Sequence, residues 1–229
     1  MIVAIHQPNF LPWIGFFNKI KNSDLFVFLD DVQFERGKTF TSRTRILING
    51  QENWLTVPVV NKSELIAIKD IKVDKSFIWK HKHLRTLELN YKKHPYFNEV
   101  FKILEDIYKN ETVFLIDYNI SFILRICDYL DIRKKIINSS DIEGVTDKNS
   151  WEKLLYILIK TEAKIYLSGS GEGSKRYVNE SDLRKNDISL LWQDYNMQTY
   201  IQKNSRDFVS HLSIIDLLFN YGKNATRFI

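Results

Sequence analysis

Residues 2–17, Ile-Val-Ala-Ile-His-Gln-Pro-Asn-Phe-Leu-Pro-Trp-Ile-Gly-Phe-Phe, constrain this chain more than any other stretch. The apolar run at 2–5 reads as a buried strand, and it stops abruptly on His6, Gln7, Pro8 and Asn9. Pro12 suits the first turn of a helix, where its missing N–H would be unpaired anyway. Trp13, Phe16, Phe17 and Ile20 then follow at helical spacing. A strand that ends on polar groups and feeds a helix gathers a histidine, an amide and unpaired backbone N–H groups at one point. In open α/β sheets that point is the usual ligand crevice. The competing reading is an ordinary βα turn in which His6 only hydrogen-bonds the backbone.

A second apolar run, 25–29, ends at Asp30-Asp31, so a parallel βαβ unit is expected. His6, Gln7, Asp30, Asp31 and Gln33 would then converge at the carboxyl ends of adjacent strands. Because neighbours on a strand point to opposite faces, only one of the two aspartates is expected to face the site. Residues 39–48 and 54–59 flank Asn49-Gly50, the strongest short-range hairpin signal. Thr41, Arg43 and Arg45 alternate, which puts them on one side of that strand. Helical patterning follows near 77–91, 95–108 and 113–130, with a break at His94-Pro95. The α/β pattern returns as a strand at 133–138, a helix at 150–161, and strands at 164–167 and 188–192. A helix at 212–220 is ended by Gly222. The expectation is an α/β fold, a mostly parallel sheet core with a β-hairpin and a helical insertion or lid. In a single domain spanning 1–229, the α/β core would take 1–75 and 131–229 and the helical insertion 76–130.

Composition narrows the classes. Hydrophobic residues at 44% and charged ones at 27% fit one sizeable globular domain. The most apolar later stretch, 113–130, is interrupted by Asp117, Asn119, Arg125 and Asp128, so no membrane span is expected. The N-terminus lacks the pattern of a signal peptide, which points to the cytoplasm. Cys127, the only cysteine, sits among Phe122, Ile123, Ile126 and Leu130 as a buried, inert thiol. A net charge of +5 favours anionic partners, but the basic residues are interspersed with 28 acidic ones. The densest basic stretch, 80–93, alternates with apolar residues at helical spacing, as a solvated helix face does. Nucleic acid is therefore not expected as a partner.

Residues 168–175, Ser168-Gly169-Ser170-Gly171-Glu172-Gly173-Ser174-Lys175, read as a glycine-bearing loop after a strand. Phosphate or carboxylate capture by its backbone N–H groups competes with a plain surface turn. It matches neither Gly-x-x-x-x-Gly-Lys-Ser/Thr nor Gly-x-Gly-x-x-Gly. Asp30 and Asp31 have the chemistry for Mg²⁺ or for a strand-end turn, and no metal site is assigned. His81 and His83 cannot share one helix face, and His94 and His211 carry no informative context. Arg43 and Arg45 either grip an anion bidentately or form a solvated hairpin edge. The candidate catalytic set is His6, Gln7, Asp30 and Asp31. The candidate binding set is Asn9, Trp13, Gln33, Arg43, Arg45, Ser168, Gly169, Ser170, Gly171, Lys175 and Tyr177.

His6-Gln7-Pro8-Asn9-Phe10-Leu11-Pro12-Trp13 with Gly15 and Phe16, followed by Phe28-Leu29-Asp30-Asp31-Val32-Gln33-Phe34, resembles the opening of the WbqC-like family. The similarity continues through Arg43, Arg45 and Trp54-Leu55-Thr56-Val57-Pro58-Val59. It resumes at Tyr166-Leu167-Ser168-Gly169 and at Leu212-Ser213-Ile214-Ile215-Asp216-Leu217-Leu218-Phe219-Asn220. That family is typically encoded with bacterial O-antigen and other surface-polysaccharide genes, so the resemblance implies a place in lipopolysaccharide biosynthesis. A second likeness is to pantothenate synthetases and related nucleotidyltransferase-like enzymes, whose strand, polar-Pro turn and helix are similar. Their second active-site histidine, in His-x-Gly-His, has no counterpart here, and only His6 is present. Together the resemblances imply a transferase or amide-forming ligase that N-acylates or aminoacylates a nucleotide-linked amino sugar. A small acyl or amino-acid donor would be the second substrate, with ATP and Mg²⁺ the cofactor if the donor is activated by adenylation. The alternative is a non-catalytic partner that binds a nucleotide sugar. A homo-oligomer is compatible with either.

Overall fold

The computed structural model describes residues 1–35, 37, 39–60, 65–145, 148 and 150–229. In chain order the elements are β1 (Ile2–His6), α1 (Ile14–Lys21), β2 (Leu25–Phe28), β3 (Arg43–Ile48) and β4 (Gln51–Thr56). Then come α2 (Ile78–Tyr91), α3 (Phe97–Tyr108), α4 (Leu115–Tyr129), β5 (Lys135–Asn138) and α5 (Ser150–Lys160). The chain closes with β6 (Ile165–Ser168), α6 (Glu172–Tyr177), α7 (Glu180–Lys185), β7 (Ser189–Trp192) and α8 (Ile214–Tyr221). The fold is α/β. Two compact units contain these elements: Met1–Gln7, Asn18–Val32 and Ile132–Asn196 in the first, Pro8–Phe17, Gln33–Asp131 and Met197–Ile229 in the second.

The first unit is built on a five-stranded sheet of order β5-β2-β1-β6-β7, every neighbouring pair parallel. Parallel sheets are covered on both faces, which is why β1 and β2 read as unbroken apolar runs instead of alternating ones. Val3, Ile5, Leu25, Val27 and Tyr166 pack with Ile157 and Leu158 of α5 and with Leu183 and Ile188. Each large aliphatic side chain so buried contributes about 1.5–3 kcal/mol.

The second unit carries the hairpin β3–β4 and the helices α2, α3, α4 and α8. The hairpin register pairs Ile48 with Gln51 across a two-residue turn. Asn49 and Gly50 take φ of 52° and 77°, the left-handed pair that matches strand twist in such turns. A Cβ at Gly50 would also lie 2.7 Å from the Asn204 carbonyl oxygen, so glycine is required there on two counts. Phe219 of α8 stacks between Tyr91 and Phe97, with ring centroids 4.6 and 5.7 Å away. Ser213 caps α8, its Oγ accepting from the Ile215 N–H at 3.4 Å and donating to Leu11 O at 2.8 Å. Among the described residues no helix is long and apolar enough to cross a membrane.

Several boundaries differ from the patterning. The strand expected from 39 begins only at Arg43, because Thr39 Oγ1 accepts from the Thr41 N–H at 3.2 Å and turns the chain. Helix α1 begins at Ile14, not Pro12. Leu11, immediately before that proline, is held at φ 40°, and its carbonyl accepts from Thr44 Oγ1 at 2.9 Å. A left-handed leucine costs on the order of 1–3 kcal/mol, and its buried side chain and these hydroxyl bonds hold it there. Residues 172–177 are helical, with Glu172 in the first turn and Lys175 and Arg176 in the last, charges that complement the helix dipole.

Candidate functional site

In the sheet of the first unit, the chain leaves β1 toward β2 and β5, then returns on the other side of β1 as β6 and β7. Connections therefore depart in opposite directions from β1 and β6, which lie side by side. This is the position where open α/β sheets form a ligand crevice at the carboxyl ends of the strands. His6 ends β1 and Ser168 ends β6.

His6 is half-buried, and its Nδ1 lies 2.9 Å from Gln7 O. A carbonyl oxygen only accepts, so Nδ1 carries the proton of the neutral ring and Nε2 the lone pair. Lys19 lies five residues into α1, yet helical side chains tilt toward the helix N-terminus and its ammonium reaches back to the end of β1. Its Nζ donates to Ile5 O at 3.0 Å, and the residue is 3% exposed. No carboxylate pairs with it among the described residues. Burial lowers the Lys19 pKa from 10.5 to about 7. The His6 pKa falls from 6.5 to about 4, through burial first and the charge of Lys19 second, against the bond to Gln7. Two basic groups, each placed where charge is disfavoured, thus stand together at one sheet edge. Such displaced titrations concentrate at functional sites.

Asp30 and Asp31 lie past the end of β2, where the alternation of a strand no longer holds, and both turn to one cluster. Asp30 Oδ1 accepts from the Ser140 N–H at 2.9 Å and lies 2.8 Å from Ser139 Oγ; Oδ2 accepts from Ser140 Oγ at 2.6 Å. Asp31 pairs with Lys153 of α5 and touches the same Ser139 hydroxyl. Side chains of Lys153 and Asp31 are only 5% and 2% exposed. The expectation that only one aspartate faces inward is corrected by this arrangement. The cluster fastens the segments after β2 and β5 to α5. Among the described residues, no three His, Cys, Asp or Glu side chains come together as metal ligands.

Ser168 is buried and its carbonyl accepts from the Gln193 N–H at 2.7 Å, while the Gln193 amide donates to Asn18 Oδ1 at 2.8 Å. Gly169, Gly171 and Gly173 all lie outside the left-handed region, and the space around Gly171 and Gly173 is open. Ser170, Gly171 and Lys175 are exposed, and Tyr177 is 60% exposed. The predicted loop is thus the end of β6, a three-residue connection at 169–171, and the start of a helix.

The other predicted residues belong to the second unit. Asn9 is half-buried, and exposed Gln33 pairs its backbone with Ala67. Trp13 bridges Ser213, and its ring lies 5.0 Å from that of His211. Arg43 stacks over Trp54, and Arg45 pairs with Glu52 at 3.1 Å. The His211 pKa is lowered by burial and then by the charge of Arg45, with Glu52 acting oppositely, so His211 shares that neighbourhood.

Sequence reasoning passed over Lys19, Lys153, Ser139 and Ser140. For Lys19 a signal was present: a lysine among Phe16, Phe17 and Ile20, three residues from one and next to another, interrupts an apolar stripe. Ser139 and Ser140 have no local pattern that announces a carboxylate partner more than 100 positions away.

A family model described as the WbqC-like protein family matches residues 7–228. The chain is 32% identical over 233 residues to an uncharacterized protein of Mycobacterium tuberculosis, an alignment covering 99% of this chain and 96% of that protein. No solved structure matches the chain.

Proposed function

The chain belongs to the WbqC-like protein family, and from that premise we propose that it is a transferase of surface-polysaccharide assembly that N-acylates or aminoacylates a nucleotide-linked amino sugar. The observation that carries this reading is the His6–Lys19 pair at the carboxyl edge between β1 and β6. An amine that attacks an activated acyl group sheds a proton as the C–N bond forms. The carbonyl oxygen gathers negative charge and returns it as the bond from the acyl carbon to the donor's activating group breaks, and that group departs with the electron pair. His6 Nε2, neutral at physiological pH, is the proton acceptor. Lys19, itself buried and balanced between amine and ammonium near pH 7, supplies positive charge to the oxyanion. Gln7 sets the imidazole tautomer through its carbonyl. Asp30 and Asp31 act at one remove: they hold the strand ends in place through Ser139, Ser140 and Lys153.

Purified protein incubated with an amino-acid or acyl donor and a panel of nucleotide-linked amino sugars, with and without ATP and Mg²⁺, tests this by mass spectrometry. The expected result is a product heavier by one acyl group. His6→Ala should lower turnover by about 10²–10⁴-fold with the fold intact. Nucleotide-sugar binding without any product across the panel would favour the non-catalytic binding partner instead.

A further inference from the structure

We infer that the exposed face of the β3–β4 hairpin is a nucleoside-diphosphate site, with the base stacking on Trp54 and Phe40 and the diphosphate held by Arg43 and Arg45. This deepens the reading of the protein as one that handles nucleotide-linked sugars, and it rests on that reading.

The register puts the groups together. Arg45 is paired directly with Trp54 and Arg43 with Thr56, so both arginines and the tryptophan project from one face of the ribbon. The Arg43 guanidinium carbon lies 3.8 Å from the Trp54 ring centroid. Beyond this stacking, the Arg43 side chain makes no hydrogen bond or ion pair among the described residues, and its enclosed Nε has no partner. A guanidinium held by its flat face keeps its edge N–H groups for a bidentate anion. Arg45 carries one ion pair, to Glu52, whose side chain is 39% exposed. Exposed pairs of this kind contribute little and exchange readily for a stronger anion.

The aromatic half of the face is open. Phe40 is 47% and Trp54 40% exposed, with ring centroids 5.6 Å apart. The Arg45 guanidinium lies 5.9 Å from the Phe40 ring. A bare phosphate has no use for two solvent-facing rings, and an uncharged sugar has none for two guanidinium groups. A nucleoside diphosphate presents a flat apolar ring and a dianionic tail, and needs both. Glu52 then acts as the counter-ion that the diphosphate displaces.

Calorimetry with UDP, dTDP and GDP, and with pyrophosphate and uridine as controls, tests the assignment on the full chain. The nucleoside diphosphates should bind, and either half alone should bind at least about tenfold more weakly, since base stacking and charge each contribute that much. Arg43→Gln and Trp54→Leu should each weaken UDP binding by about tenfold or more. Glu52→Gln should tighten it several-fold, and as an exposed change it leaves the fold intact. Pyrophosphate binding as tightly as UDP, or UDP affinity unmoved in all three variants, overturns the site. A single-stranded oligonucleotide that binds more tightly than any nucleoside diphosphate overturns it as well. Acyl transfer to an amino sugar that lacks a nucleotide would overturn the proposed function while Trp54-dependent UDP binding still supported this face. UDP binding insensitive to these variants, with transfer intact, would do the reverse.

Discussion

Replacing Lys19 by Met should make the protein more stable and leave it inactive. The wild-type ammonium is buried without a carboxylate, and its pKa is lowered from 10.5 to about 7. That displacement corresponds to about 5 kcal/mol of disfavoured charge, at 1.36 kcal/mol for each pKa unit. The sign follows from linkage: a lysine with a depressed folded-state pKa contributes stability above about 10.5 and loses it as pH falls through about 7. Methionine has similar length and no charge to bury. Its substitution removes the hydrogen bond to Ile5 O, at a net cost of about 1 kcal/mol. A net gain of roughly 2–4 kcal/mol is therefore expected below pH 7, or about 4–16 °C in Tm for a chain of this length. Urea and thermal denaturation at several pH values from 6 to 10 measure it. The advantage of Met over Lys should be largest at pH 6 and shrink steadily toward pH 10. A variant less stable than wild type at pH 6, or a difference that does not change with pH, would refute the reasoning.

Three further outcomes follow from the geometry. Lys153→Met strands the buried Asp31 carboxylate and should cost about 3–5 kcal/mol in urea denaturation; a loss under 1 kcal/mol would mean the pair is exposed in solution. Burial raises the Asp216 pKa from 3.8 to about 6 despite the 2.9 Å bond from Tyr200, so its stabilising contribution is complete below 3.8 and lost as pH rises through 6. Asp216→Asn should accordingly remove about 3 kcal/mol of pH dependence between pH 4 and 7.5, and a stability profile parallel to wild type would contradict this. Gly50→Ala meets both a left-handed φ and the Asn204 carbonyl and should lower stability by more than about 1 kcal/mol; a melting temperature unchanged within error would count against the turn geometry.

Much of the α/β layout is legible because it is written in local patterns. The apolar runs before His6 and Asp30, the Asn49-Gly50 turn and the His94-Pro95 break each depend on residues within a few positions of one another. Parallel pairing of β1 with β2 also follows from the sequence, since a short crossover helix between two buried strands leaves few alternatives. Boundaries were less legible where side chains compete with the backbone. Thr39 turns the chain before β3, and the left-handed Leu11 delays α1 to Ile14. The glycines of 168–175 suggest an open loop, yet the charges of Glu172, Lys175 and Arg176 suit a short helix, which forms.

The sequence by itself determined the fold class, the strand-ending His6 and the shared face of Arg43 and Arg45, because strand periodicity and chain breaks are properties of neighbouring residues. Only the tertiary structure decided what those groups meet. It set β6 beside β1 and so made a switch point of their carboxyl ends. It drew Lys19 back to Ile5, turned both aspartates to Ser139, Ser140 and Lys153, and laid Arg43 on Trp54. Partners separated by 11 to more than 100 positions leave no periodic trace, and the free energy of a buried charge depends on how far packing removes it from water.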